Sequence, residues 1–199
     1  TEGMNLIMYG WAMHNLEKND EIISTVMEHH ANIVPWQFMK EKGVKVKFVD
    51  INDDGTLNME DLKQKISNKT KIVSCVHASN VVGTINNIKE IGKMAHEKDA
   101  LFIVDGAQSV PHMPVDVRKI NADFLTFSGH KMLAPTGTGA VYGKKEVLEQ
   151  AHPFLGGGDM IRDVKLEKST FNDLPWKFEA GTPDIGGGIA FGAAVDYLK

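Results

Sequence analysis

Cysteine is the scarcest functional residue here: Cys75 is the only one in 199 residues. A lone thiol closes no internal disulfide and completes no zinc knuckle, which excludes disulfide-stapled secreted domains and zinc fingers. It fits a reducing, cytoplasmic compartment. Long apolar runs are also missing. Leu101-Phe102-Ile103-Val104 is typical, far short of the roughly 18 residues that cross a bilayer, so no membrane role is expected. No block of one charge occurs either. The 22 Lys+Arg stand against 26 Asp+Glu for a net charge of -4, and the footprint of a nucleic-acid binder is absent. The first residues lack the basic, apolar, small-residue order of a secretory signal. Collagen-like or low-complexity repeats do not occur.

What is present suits a folded chain. Apolar residues make up 42% and charged residues 24%, an ordinary balance for a packed core. A chain of this size buries about 70% of its unfolded surface. One large domain over residues 1–199 is expected. The opening Thr1-Glu2-Gly3-Met4 has no initiator Met, and the helical pattern from Ile189 to Leu198 ends without a closing Gly. Processing at both ends is one reading; a piece of a longer chain is the other.

Short β-rich runs alternate with amphipathic, helix-length stretches. Strands are expected at 21–27, 44–49, 71–76, 101–104, 122–127 and 139–143. Helices are expected at 31–42, 59–66, 88–98 and 146–151. That alternation predicts an α/β fold, a mostly parallel sheet covered on both faces. The Gly-, Asp- and Pro-rich region 155–187 is too long for an ordinary connection, which marks it as functional.

In such folds ligands gather at the carboxyl ends of strands. Asp105 directly follows the buried run ending at Val104, with Gln108 three residues on. It either builds an Asx turn with Gly106 or faces a ligand. Ser128, His130 and Lys131 follow the strand ending at Phe127. A lysine there is either a surface residue or a Schiff-base nucleophile, the latter only if its amine is partly deprotonated. Ser128 and His130 would suit an adjacent phosphate. Asn80, after Val76-His77-Ala78-Ser79, either orients a ligand oxygen or makes a turn. His29 and His30 are adjacent, so on a strand they would point to opposite faces and share a metal poorly. No metal site is expected, and an imidazole stacked on a ring ligand is the better functional reading. The glycine stretches do not make a dinucleotide fingerprint, since Tyr142 stands where the third Gly of Gly137-Thr138-Gly139 would be. Thr138 and Lys145 break the P-loop pattern around Gly143-Lys144. Gly156 to Gly158 and Gly186 to Gly188 read as flexible or close-approach backbone.

Together Asp105, Gln108, Ser128, His130 and Lys131 suggest a pyridoxal 5'-phosphate site. That cofactor needs a lysine for its imine and a carboxylate on its pyridinium nitrogen. At this point the sequence resembles the class V aminotransferase-like family of fold-type I pyridoxal-phosphate enzymes. Within it the chain is most similar to SUF-type cysteine desulfurases, a group that includes selenocysteine lyase-like members. The resemblance covers essentially the whole chain. It is carried by Thr1 to Asn5, Met27-Glu28-His29-His30-Ala31-Asn32-Ile33-Val34-Pro35-Trp36-Gln37, Asn52 to Leu57 and Ser79-Asn80-Val81-Val82-Gly83-Thr84. Val104 to His112, Ser128-Gly129-His130-Lys131 and Phe178-Glu179-Ala180-Gly181-Thr182-Pro183 complete it.

The resemblance implies a three-layer α/β/α domain around a mainly parallel seven-stranded sheet. It implies that Lys131 and His29 are catalytic: Lys131 carries the cofactor and His29 stacks on its ring. Asp105 pairs with the ring nitrogen and Gln108 with the ring hydroxyl oxygen. Thr1, Ser128 and His130 bind the phosphate, and Asn80 lies near the substrate carboxylate. Thr182 reaches the phosphate of a partner subunit, which implies a homodimer. The implied reaction converts L-cysteine to L-alanine and passes sulfur, as a persulfide, to a carrier protein for iron-sulfur cluster assembly. Selenocysteine lyase or another class V activity is the alternative, and a PLP-binding module without turnover is a third reading. The family's persulfide-forming Cys and substrate-carboxylate Arg lie in a stretch this sequence does not contain. Cys75 reads as a core residue, and neither Arg118 nor Arg162 sits in a matching motif. Asn87 stands where the family usually has Pro, and Ala134 where Gly is usual.

Overall fold

The computed structural model describes residues 1–199. The chain opens with α1 (Glu2–Leu6), which runs through a π-helical stretch (Ile7–Ala12) into α2 (Met13–Asn15). Then follow β1 (Glu21–Thr25), α3 (Val34–Phe38), β2 (Lys45–Val49), α4 (Met59–Lys65) and β3 (Thr70–Val76). Next are α5 (Ile88–His96), β4 (Leu101–Asp105), α6 (Ser109–His112), α7 (Val117–Ile120) and β5 (Phe124–Ser128). The chain ends with β6 (Gly139–Gly143), α8 (Lys145–Gln150), β7 (Ile161–Val164), β8 (Ser169–Phe171) and α9 (Ile185–Leu198).

Six strands form one sheet in the order β2-β1-β3-β4-β5-β6. All neighbours are parallel except β5 and β6, which run antiparallel. The sheet therefore has six strands where the resemblance implied seven. β7 and β8 pair only with each other, in a separate two-stranded sheet. Their residues are mostly exposed and polar, so they offer no buried face with which to join the main sheet.

Successive strand residues point to opposite faces, and the two core clusters record it. Ile23, Val73, Val104 and Leu125 pack on one side with Leu62 of α4 and Ile88, Ile91 and Ala95 of α5. Their neighbours Ile22, Ile72, Ile103 and Phe124 pack on the other with Met4, Ile7, Met8, Trp11 and Trp36. The central strands β1, β3 and β4 are buried on both faces, which is why they carry near-continuous apolar runs.

Three expectations are revised. The helix expected over 31–42 is a 3-10 turn (His30–Asn32), then α3, then a second 3-10 turn (Met39–Lys42) closed by Gly43 at φ 81°. Pro35 suits the first turn of a restarted helix, and the Asn32 side chain is held elsewhere, as described below. The first strand stops at Thr25 because the Thr25 hydroxyl accepts the Met27 N–H in a turn. The triplet Gly186-Gly187-Gly188 lies within the first turn of α9, capped by Asp184, so it is not flexible; its close approach is real at Gly187, where a Cβ would lie 2.8 Å from Thr138 Cγ2.

Candidate functional site

The parallel strands β1, β3, β4 and β5 all end on one edge of the sheet. Val76 pairs with Asp105 and Asp105 with Thr126, so these ends are level. His29 follows β1, Asn80 follows β3, Asp105 ends β4 and the 3-10 turn Gly129–Met132 follows β5. The sequence thus delivers its candidate residues to neighbouring strand ends. The helix α1, which Thr1 N-caps, packs close to β5 and β6 at Gly3, where a Cβ would lie 2.6 Å from Val141 Cγ2 and 3.0 Å from Thr126 Cγ2. Only glycine lets α1 approach β5 and β6 this closely, which sets the start of the helix over the end of β5.

Asp105 is buried, 4% exposed. The turn reading is seen: Oδ1 accepts the Ala107 N–H at 2.9 Å, while Oδ2 has no partner in the chain. Gln108, half-buried, precedes α6 and its amide is likewise unbonded. Ser128 is the N-cap of the turn that carries Lys131, and Thr1 is the N-cap of α1, yet neither side chain caps its own helix. Both hydroxyls are left for a ligand. His130 is exposed and Lys131 half-buried, with no ion pair to another side chain. The turn is held by Gly129, whose N–H donates to the Thr138 carbonyl at 2.9 Å, and by the Ala134 N–H donating to the Gly129 carbonyl at 3.1 Å. His29 is exposed, and its Nδ1 accepts the Ala31 N–H at 3.1 Å, which leaves Nε2 without a partner in the chain. This donor set fits a phosphate-bearing aromatic ring with a protonated nitrogen. It offers an acceptor for the nitrogen, hydroxyls and a helix start for the anion, and a free amine.

The remaining two candidates are exposed. Asn80 is exposed in a turn built by Ser79, whose hydroxyl accepts the Val81 and Val82 N–H groups at 3.2 and 3.3 Å. Thr182 is exposed between Gly181 and Pro183, which border a groove of about 470 Å³ shared with Trp176, Asp159 and Glu179. Arg118 lies exposed on α7, and Arg162 is paired with Asp173 at 2.6 Å. Cys75 is fully buried in β3, and burial, with the nearby Glu28 and Asp105 carboxyls, pushes its thiol pKa well up. It is a core residue.

The sequence reading gave no role to the side chains behind this edge. Glu28 is buried and burial pushes its carboxyl pKa up to about 8, with the charge of Asp105 adding to the effect. Its hydrogen bonds to Thr25, Asn32 and Val76 work against that shift. His77, at the end of β3, is buried with Nδ1 unpartnered, and burial lowers its pKa. The one signal in the sequence was polar residues next to a buried strand.

The sequence profile of the aminotransferase class-V family matches residues 1–199. A cysteine desulfurase of Haloferax volcanii is 54% identical over 199 residues, covering all of this chain and 47% of the relative. A probable cysteine desulfurase of Synechocystis is 52% identical, again over 47% of its length. Among solved structures, the cysteine desulfurase CsdA of Escherichia coli superposes with a TM-score of 0.96 at 39% identity. It is matched over 99% of this chain and 50% of that one. The apo cysteine desulfurase of Thermococcus onnurineus gives 0.94 at 41% identity, with 99% and 49% coverage. The chain spans about half the length of the relatives it matches. With a profile matched from end to end and a fold shared this closely, the chain belongs to the aminotransferase class-V family.

Proposed function

We propose that residues 1–199 form the pyridoxal-phosphate-binding large domain of a cysteine desulfurase, which converts L-cysteine to L-alanine and passes the sulfur on as a persulfide. The observation that carries this reading is the buried Asp105 carboxylate with one free oxygen, level with the strand that delivers Lys131. The names of relatives up to 54% identical support cysteine as the substrate.

Bound pyridoxal phosphate supplies an electron sink for bonds broken at the substrate's α-carbon. Asp105 Oδ2 would accept a hydrogen bond from the protonated ring nitrogen, and its negative charge would keep that proton in place and the sink charged. Ser128, His130 and Thr1 hold the phosphate, aided by the positive end of the α1 dipole. His29 covers one ring face, and Gln108 donates to the ring oxygen. Lys131 Nζ would hold the cofactor and, once its amine is free, would be the base placed to accept the α-proton of the substrate. Asn80 donates to the substrate carboxylate. The sulfur-accepting thiol is not Cys75, which is buried with its proton firmly held.

Thr182 serves a second copy of the chain in this reading, and α9 supports a homodimer. That helix is apolar almost throughout yet exposes Ile185, Ile189 and Tyr197 at 63%, 72% and 79%. The sulfur acceptor is a carrier protein serving iron-sulfur cluster assembly. A cytoplasmic, reducing setting agrees with one buried free thiol. No helix is long and apolar enough to cross a membrane.

The test is borohydride reduction of the purified protein with pyridoxal phosphate, followed by peptide mapping. A label on Lys131 is expected. Label on a surface lysine such as Lys119, or none, overturns the assignment.

A further inference from the structure

Glu28 has no part in the chemistry above, yet it is the most fully bonded carboxyl near the site. Its Oε1 accepts the Val76 N–H at 2.9 Å and shares a 2.6 Å hydrogen bond with the Thr25 hydroxyl. Its Oε2 accepts from Asn32 Nδ2 at 2.6 Å. Asn32 Oδ1 in turn accepts from Trp36 Nε1 at 2.9 Å and from the Ser74 hydroxyl at 2.6 Å. Glu28, Asn32, Ser74 and Thr25 are all buried.

The bracketing of His29 is the point of interest. The residue before it, Glu28, and the residue three after it, Asn32, are tied side chain to side chain. The His29 carbonyl accepts the Asn32 N–H at 2.8 Å, and its ring accepts the Ala31 N–H. The third tie of Glu28 goes to the backbone of Val76, the residue of β3 that pairs in register with Asp105. One carboxyl therefore joins the loop that carries the imidazole to the strand edge that carries the aspartate. Burying a carboxyl is costly, and an apolar side chain would fill the same space more cheaply. A fully bonded polar group does what an apolar one does not: it specifies a single geometry.

We infer that Glu28 is a positioning residue that acts through His29, fixing the imidazole relative to Asp105 and so the slot into which the cofactor ring fits. The inference rests on the pyridoxal phosphate reading given above. It predicts an energetic coupling between positions 28 and 29 in cofactor binding, which a residue that merely stabilised the fold would not show.

The experiment is a double-mutant cycle on the dissociation constant of pyridoxal phosphate, measured by absorbance titration of wild type, E28Q, H29A and E28Q/H29A. In E28Q the new amide faces the Asn32 amide, donor against donor, because Asn32 Oδ1 is already engaged by Trp36 and Ser74. E28Q is expected to weaken binding about tenfold, in line with losing one well-made hydrogen bond. E28Q/H29A should bind no more weakly than H29A. The pair E28Q/N32D, which reverses donor and acceptor, should recover most of the affinity. If E28Q does not fold, T25V removes a single partner of Glu28 in an isosteric change and is cycled against H29A in the same way. Effects that add, or an E28Q protein that binds like wild type, overturn the inference. A wild type that binds no pyridoxal phosphate overturns both readings, whereas a binding wild type with additive variants overturns only this one.

Discussion

At Gly129 the absence of a side chain is what allows the lysine-bearing turn to form. A Cβ there would collide with the Thr138 hydroxyl and lie 3.2 Å from the Thr138 carbonyl oxygen. G129A is expected to lose about 1–3 kcal/mol of stability, the range for overpacking a tight site, and to weaken cofactor binding. Urea denaturation with and without pyridoxal phosphate measures both. Glu28 makes a second prediction at this scale. Its carboxyl stays protonated in the fold up to about pH 8 but ionises above about 4.5 in the unfolded chain. Unfolding therefore releases a proton between those values, and stability falls as pH rises from 4.5 to 8. His14 and His77 act in the opposite sense. Burial lowers their pKa, so they lose stability as pH falls below 6.5. Relative to E28Q, which does not titrate, the wild type should lose stability between pH 5 and 8, as read from urea midpoints at the two values; no relative change would sink this account. Asp105 and Lys131 were legible as candidates because each follows an apolar strand. The free Oδ2 of Asp105 was not, since it depends on which oxygen the Asx turn uses.

Elements were legible where the apolar pattern was strong and local. α5 buries Ile88, Ile91 and Ala95 on one face and is capped by Asn87, whose side chain accepts the Glu90 N–H. The departure from the family's usual Pro at this position is thus met by a working cap. The opening helix was not foreseen. Its π-helical stretch passes Gly10, where a Cβ would lie 2.6 Å from the His152 carbonyl oxygen. Such a contact joins residues more than a hundred positions apart, and no local pattern contains it. α9 was foreseen only from Ile189, because three glycines hide its first turn. Their weak helix propensity makes the Asp184 cap matter more, and it accepts the Gly187 N–H at 2.9 Å. D184A should lose about 1 kcal/mol of stability, seen as a lower urea midpoint. Because the start of α9 packs against Thr138, the same change should also loosen the turn that holds Lys131. Unchanged borohydride labelling of Lys131 alongside a lowered midpoint would contradict that link.

On the scale of the whole molecule, the sheet order brings strand ends far apart in sequence to one edge, and chemistry becomes possible only there. Residues 1–199 on their own should trap pyridoxal phosphate at Lys131 yet release no alanine from cysteine, because their one thiol is buried in β3. Alanine production that C75S abolishes would contradict that assignment of Cys75. The sequence by itself determined the alternation of strand and helix, the parallel character of the sheet and the identity of the residues at its carboxyl edge. These follow from apolar periodicity and from motif blocks, both local. Only the tertiary structure decided that the sheet has six strands and that β7 and β8 pair apart from it. It alone showed that Glu28 ties the His29 loop to Val76 and that Gly3 lets α1 approach β5 and β6. Each of these depends on a contact between segments distant in the chain, and such contacts are set by how whole faces pack rather than by the order of neighbouring residues.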